Sequence, residues 1–307
     1  MTSNSVRTDE NPRPVTRKKG ETPKGRFRYV LSKTALRVPL AWIRHTGLRP
    51  ADVFLASYPR CGRTWSRFVL HEILTGRESN FETVNTTLQG VYGLSHGIPV
   101  LPNGGRLVNT HESYRRDYRR AVCLVRDVRD VVLSEFAYLR SLGYYRGDFD
   151  EFIEGFVGKG RAVNGFGPWP HHVSSWLDSP IAGTSNFLLV KYEDLRGNPE
   201  EWFERIARFL GLQLTRERIQ QAVANNSLNR MRKKERDQPQ VPTNDFVRTG
   251  SVQGWRGKLT DPQLELIEQY AGGVLVRLGY PLYAGSPERL GVTASAHSDH
   301  ADELRVR

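Results

Sequence analysis

Short apolar runs and helically spaced apolar residues alternate along this chain. The runs predicted to form buried strands are Val53–Ala56, Arg106–Asn109, Ala121–Val125 and Phe187–Val190. Apolar residues at helical spacing predict helices after residue 62, from about 128 to 139, after Pro199, and over 261–277. Residues 78–105 follow neither pattern and are predicted to be a long irregular segment. Alternating strands and helices predict an α/β fold: a single domain with a central, mostly parallel sheet flanked by helices.

The first predicted strand leads into a helix through a tight loop that contains Pro59 and Gly62. A strand, loop and helix in this order direct free backbone N–H groups and the helix dipole at an anion, and the loop adds Arg60 and Arg63 as cations. The loop is P-loop-like but lacks the Lys-Ser/Thr pair of a Walker A motif. An ordinary strand-to-helix turn with surface arginines fits this stretch alone equally well.

Charge divides the chain into a tail and a body. The net charge is +12, and residues 1–28 hold eight Lys/Arg and three acidic residues, which gives 8 − 3 = +5 for this segment. We predict a disordered basic tail over 1–28, a folded domain over 29–284, and a disordered polar tail over 285–307. The basic tail could contact an anionic membrane surface.

The apolar residues and the cysteines bear on location and metal content. No apolar stretch approaches the ~20 residues of a membrane-spanning helix, and the start lacks the apolar core of a signal peptide. The two cysteines, Cys61 and Cys123, form neither a disulfide framework nor a metal site by themselves. We therefore expect a cytoplasmic protein without a metal ion.

Several side chains that can bind a ligand or transfer a proton lie just beyond the ends of predicted strands. Arg60, His111, Arg126 and Tyr192 each follow a strand within a few residues. Ligands of parallel α/β sheets bind beyond the carboxyl ends of the strands, so these residues are candidates for one binding site.

Five segments together resemble the cytosolic-type sulfotransferases that use 3′-phosphoadenylyl sulfate (PAPS). They are SYPRCGRTW (57–65), NTH (109–111), VRDVRDVVLS (125–134), KYEDLRGNPEEWFERIARFLGL (191–212) and RTGSVQGW (248–255). Their order and spacing span most of residues 50–283. The resemblance implies a single α/β domain with PAPS as co-substrate and no required metal.

The resemblance also assigns binding roles. The loop Arg60, Cys61, Gly62, Arg63, Thr64 and Trp65 would bind the 5′-phosphosulfate, with the backbone N–H groups of residues 62–65 around the phosphate. The Trp65 ring would pack against adenine. The 3′-phosphate would bind Arg126 and Ser134, reinforced by Arg248, Thr249 and Gly250, and Tyr192 and Ser227 would lie beside adenine. The chain departs from the family pattern at five positions: Arg60 and Asn109 replace lysines, Cys61 and Arg63 replace small hydroxyl residues, and Leu228 replaces an aromatic residue.

His111 is the general base that the resemblance implies. It would take the proton of an acceptor hydroxyl during in-line attack on sulfur, while Arg60 offsets charge on the leaving phosphate. The acceptor is expected to be a hydroxyl compound: a small metabolite, a glycolipid or a saccharide. Its pocket would be lined from 78–105 and 143–176, where the aromatic residues could equally be core: Tyr144, Tyr145, Phe149, Phe156, Phe166, Trp169 and Trp176. The sequence does not define an oligomeric state.

Two other functions compete with this interpretation. A nucleotide-dependent phosphotransferase could use the same phosphate loop, and it would bind ADP or ATP with Mg²⁺. A non-catalytic protein could instead bind nucleic acid or an anionic surface through residues 1–28 and the basic run 230–236, which is also typical of a solvated helix face. We expect no specific nucleic-acid partner.

Overall fold

The sheet has four parallel strands. A computed structural model describes residue 45 and residues 47–91, 99–141, 143–158, 166–237 and 250–283. The predicted tails, Arg248 and Thr249 lie outside these described residues. The strands are β1 (Val53–Ser57), β2 (Leu107–Thr110), β3 (Ala121–Val125) and β4 (Phe187–Lys191), in the spatial order β2-β1-β3-β4.

Helices follow or separate the strands along the described chain. They are α1 (Arg63–Thr75), α2 (Phe81–Thr87), α3 (Val128–Ser141), α4 (Phe149–Ile153) with a π-helical turn at Glu154–Gly158, α5 (Trp169–Leu177), α6 (Tyr192–Gly197), α7 (Pro199–Phe209), α8 (Arg216–Asn225), α9 (Leu228–Arg236) and α10 (Asp261–Arg277).

Alternate strand residues face two separate hydrophobic cores. Phe54 and Ala56 join the core that includes residues of α3, α5 and α10, whereas Val53 and Leu55 join the core that includes residues of α1, α7 and α8. Every residue of β1, β2 and β3 is buried, as expected for a parallel sheet covered on both faces. The predicted α/β fold is confirmed.

One segment predicted to be irregular contains a helix. Residues 78–105 include α2, which begins with a capping box: the Thr83 N–H donates to the Asn80 side chain (2.8 Å), and the Asn80 N–H donates to Thr83 Oγ1 (3.0 Å). Asn and Thr are common in loops, so the composition of this segment favoured an irregular structure although the same residues form a helix cap.

The strand order fixes where a ligand can bind. β1 lies between β2 and β3, so the chain crosses to one side of β1 and then to the other. The loop after β1 therefore lies at a topological switch point. His111 follows β2 and Arg126 follows β3. The two residues therefore lie on opposite sides of this loop.

Candidate active site

A cavity of about 450 Å³ lies at the carboxyl ends of β1, β2 and β3. It brings together most of the residues proposed from the sequence: Arg60, Gly62, Arg63, Thr64, Trp65, His111, Arg126, Ser134, Tyr192 and Gly250. Residues from the ends of three strands and from the helices α1, α3 and α6 thus meet at one cavity, although they span nearly 200 positions of the chain.

Gly62 directly precedes α1, and the N-terminal amides of this helix have no side-chain cap. The first N–H to bond within the helix is that of Ser66, which donates to the Gly62 carbonyl (3.1 Å). The N–H groups of residues 63–65 precede that bond and are the donors that a helix N-terminus offers to an anion. Gly62 has φ +87°, and a Cβ there would lie 2.6 Å from the Tyr192 ring, so both the backbone and the close packing require glycine.

Arg60 connects the loop to α3. Its φ of +69° is uncommon for a residue with a side chain, and its Nε donates to Ser134 Oγ (3.0 Å) while the guanidinium lies 4.7 Å from the Tyr138 ring centroid. The Arg60 carbonyl accepts a bond from Arg126 Nη1 (3.2 Å). The loop therefore holds a cation at the mouth of the cavity in a backbone conformation that α3 and Arg126 support.

Arg126 is held on three sides and keeps one donor unused. Its Nη2 donates to the Ser251 carbonyl (2.9 Å) and lies 3.6 Å from Asp130, and its guanidinium stacks 4.4 Å from the Tyr192 ring centroid. Its Nε is buried and has no hydrogen-bond partner among the described residues. An unsatisfied buried donor is costly, so this nitrogen marks a place for an acceptor on a ligand.

Asp127 and Asp130 shape the surroundings of Arg126. The Arg129 N–H donates to Asp127 Oδ1 (3.0 Å), so the Asp127 side chain caps the start of α3. Burial raises the pKa of Asp130, and the nearby Arg126 charge opposes that rise.

A backbone hydrogen bond fixes the His111 ring beside the cavity. Its Nδ1–H donates to the Ser57 carbonyl (2.6 Å), so the neutral ring carries its free lone pair on Nε2. The His111 carbonyl in turn accepts a bond from His172 Nε2 (3.0 Å), and the Phe166 ring packs 5.2 Å away. Burial, followed by the Arg63 charge, holds the pKa of His111 well below its usual range. The imidazole is consequently neutral at neutral pH, the state that a general base needs.

Arg196 is a cavity residue that sequence reasoning missed. Its guanidinium lies 5.2 Å from the Trp65 ring centroid, while Trp65 Nε1 donates to the Asn226 carbonyl (2.9 Å). Arg196 Nε is buried without a partner among the described residues. The available signal was its position four residues after Tyr192, on the same face of α6.

Two residues proposed from the sequence, Cys61 and Ser227, do not line the cavity, and neither does Asn109, which replaces the family's lysine. Cys61 is buried in the core, where burial raises the pKa of its thiol. Ser227 is exposed just before α9, and the cavity is lined instead by Leu228 and Met231. Asn109 donates to the Leu88 carbonyl (2.6 Å) and is buried there.

The aromatic residues expected at an acceptor pocket divide between cavity and core. Tyr144 and Phe166 line the cavity. Phe156, Trp169 and Trp176 are at most 2% exposed and belong to the core. The core alternative is therefore correct for these three, because α5 and the π-helical turn pack against α10 and turn them inward.

Two further observations concern metals and membranes. Among the described residues, no three His, Cys, Asp or Glu side chains are grouped so that they could hold a metal ion. No helix in the described part of the chain has the length and apolar character needed to cross a membrane.

Solved structures share this fold. Mouse sulfotransferase SULT7A1 complexed with PAP superposes with a TM-score of 0.60 at 20% identity, covering 81% of this chain and 95% of the other. Retinol dehydratase in complex with androsterone and PAP gives a TM-score of 0.62 at 23% identity, covering 78% and 84%. At these identities the likeness establishes the fold alone.

Sequence comparison establishes the family. The chain is 25% identical to mouse sulfotransferase 1 family member D1 over 269 residues, which is 76% of this chain and 88% of that protein. It is 28% identical to dog sulfotransferase 1B1 over 252 residues, covering 71% and 81%. The family described as "Sulfotransferase domain" matches residues 50–279. This chain therefore belongs to the sulfotransferase domain family.

Proposed function

We propose that this chain transfers a sulfuryl group from PAPS to the hydroxyl of an acceptor, with His111 as general base and Arg60 as the cation at the leaving phosphate. One observation carries the proposal: the uncapped N-terminus of α1 lies between a neutral, oriented histidine and a second cation site at Arg126. Two solved relatives are complexes with PAP, adenosine 3′,5′-bisphosphate.

The described residues fit the two phosphate groups of this nucleotide. The N–H groups of residues 63–65, together with Thr64 and Arg60, would hold the 5′-phosphosulfate. Arg126 would use its unpartnered Nε at the 3′-phosphate, with Ser134 and the Gly250 backbone nearby. We propose Arg248 and Thr249 as additional contacts on sequence grounds alone. Trp65 and Tyr192 would flank the base, and Arg196 would add a cation beside Trp65.

The reaction requires one proton transfer and one exchange of bonds at sulfur. His111 Nε2 would accept the proton of the hydroxyl as its oxygen forms a bond to sulfur. The bond between sulfur and the bridging phosphate oxygen breaks, and Arg60 and the α1 amides stabilise the charge left on that oxygen. The products are a sulfate ester, adenosine 3′,5′-bisphosphate and a proton on His111, which solvent removes.

The acceptor class and the cellular setting belong to this proposal. Two retinol dehydratase structures contain androsterone or retinol together with PAP, and a hydroxyl-bearing acceptor is consistent with Tyr144, Phe166 and His111 in the cavity wall. We also propose a cytoplasmic location and a contact between residues 1–28 and anionic membrane, both resting on the sequence alone.

Calorimetric titration tests the proposal against a phosphotransferase. Adenosine 3′,5′-bisphosphate should bind without metal, and ADP with Mg²⁺ should bind weakly. Arg126→Ala should weaken bisphosphate binding by about 10-fold or more, since it removes hydrogen bonds between charged groups. Arg205→Ala on the exposed face of α7 is the matched control and should have no effect.

The variants must first be shown to fold, because Arg126→Ala also removes the partner of Asp130. Thermal melts in the presence and absence of the bisphosphate provide that check. If ADP binds as tightly as the bisphosphate, the 3′-phosphate site is absent and the phosphotransferase is favoured. If neither nucleotide binds, the proposed PAPS-dependent activity is refuted, and transfer from labelled PAPS should be absent as well.

A further inference from the structure

Two faces of α1 contact different parts of the protein around the cavity. Trp65 faces Phe203 (5.6 Å between ring centroids) and Asn226, on the side of α7 and α8. Arg63 lies two positions away, about 200° around the helix. It shares its face with Arg67, whose Nη2 donates to Asn85 Oδ1 (2.9 Å) and the Leu88 carbonyl (2.8 Å).

That second face borders β2, the strand that ends just before His111. The Leu88 carbonyl also accepts the Asn109 amide of β2, and the next residues pair with β2 through the Val91 N–H and the Asn109 carbonyl (3.2 Å). Arg63 therefore lies on the His111 side of the loop, away from Arg126. Arg63 and His111 both line the cavity.

Arg63 is a half-buried cation without an anion. It makes no hydrogen bond or ion pair through its guanidinium to any described residue, and Arg67 is the nearby charge. Burial and then the Arg67 charge hold the pKa of the Arg63 guanidinium well below its usual range. A partly desolvated charge without a partner is costly, which favours an anion supplied by a ligand.

The donor nucleotide already has its own cations. Arg60 and the α1 amides serve the phosphosulfate, and Arg126 with Arg196 lies on the far side of the loop. The acidic cavity residues Asp130 and Glu135 are both on α3, and neither pairs with Arg63. Arg63 is thus a cation on the acceptor side of the cavity that the donor nucleotide does not use.

We propose that Arg63 binds an oxyanion carried by the acceptor, so that the substrates of this chain are hydroxyl compounds with a carboxylate, sulfate or phosphate group near the hydroxyl. The inference rests on the proposed function, and it deepens it by naming a substrate class. The fork of donors on a guanidinium suits a planar or tetrahedral oxyanion. Because His111 is close to Arg63, the bound anion would set the hydroxyl beside Nε2.

Matched acceptors separate this role from a role in general catalysis. The probes are 3-hydroxybenzoate, 4-hydroxyphenylacetate and 3-(4-hydroxyphenyl)propionate, each beside its methyl ester, with labelled PAPS as donor. The wild-type chain should prefer at least one acid over its ester in kcat/KM. Arg63→Gln should lower that acid-to-ester ratio by about 10- to 100-fold, the range for a charged hydrogen bond. Arg63→Lys should retain part of the preference.

Three controls make the outcomes distinct. Arg205→Gln, on the exposed face of α7, should change neither the ratio nor the rate. Melting temperatures establish that each variant folds. Calorimetry with adenosine 3′,5′-bisphosphate should show that Arg63→Gln loses much less affinity for the nucleotide than for the acid.

Several results would overturn the proposal. Equal loss for acids and esters would place Arg63 at the transferred sulfuryl group, and a matching loss of nucleotide affinity would place it at the donor. A wild-type chain that prefers no acid also refutes it, while transfer to the esters would leave the proposed sulfotransferase function standing. If the wild-type chain bound no bisphosphate, that function would fail and this inference with it.

Discussion

The contact between Gly62 and Tyr192 allows a quantitative test of the anion-binding loop. In Gly62→Ala the new Cβ would lie 2.6 Å from Tyr192 Cδ2 and 2.9 Å from Cε2, closer than real Cβ contacts occur. The ring cannot move away freely, because Tyr192 is only 6% exposed and stacks against Arg126 at 4.4 Å. The substitution must therefore displace the loop or the ring.

The loss of stability expected for Gly62→Ala has two parts, one from the backbone and one from packing. Alanine at a positive φ costs about 1–2 kcal/mol, and an added methyl in a packed site costs about 1–3 kcal/mol. We expect Gly62→Ala to lower the free energy of unfolding by about 2–5 kcal/mol. Gly183→Ala is the matched control: its φ is +73° with nothing within 4 Å of the new Cβ, so only the first part applies.

Urea unfolding of the two single variants measures these costs, and nucleotide titration measures their effect on the site. Gly62→Ala should also weaken binding of adenosine 3′,5′-bisphosphate, whereas Gly183→Ala should not. In a Tyr192→Ala background, Gly62→Ala should lose the packing part of its cost, a coupling of about 1–3 kcal/mol. If the two alanine variants are equally stable and bind equally, the close approach of Tyr192 to the loop is refuted.

Two predictions concern His111. His111→Gln should reduce kcat by about 10²- to 10⁴-fold while nucleotide affinity by calorimetry is unchanged, and a loss under 10-fold would exclude it as the base. Because the pKa of folded His111 is lowered, its base form should persist as pH falls from 8 to 6, so kcat/KM should not halve near the ordinary histidine value of ~6.5. Below that value the unfolded chain binds a proton at His111 that the folded chain does not, so urea unfolding should show that the free energy of unfolding decreases as the pH is lowered. His172, with a pKa lowered to about 4, contributes in the same direction.

Local patterns in the sequence determined the elements and the end of the sheet where the site lies. The helix predicted over 261–277 is α10 with the same bounds, and the four predicted strands form the parallel sheet. Apolar periodicity reports local geometry directly, which is why these predictions are confirmed. Apolar periodicity did not predict the spatial order of the strands, β2-β1-β3-β4.

Tertiary structure decided which side chains meet. The sequence grouped Cys61 and Arg63 with the phosphate loop, but packing turns Cys61 into the core and sets Arg63 on the face of α1 beside β2. Arg196 reaches Trp65 only because α6 is brought against α1 from more than 100 residues away. A side chain's direction depends on the neighbours that fill the space around it, and those neighbours are distant in the chain, so no local pattern can specify it.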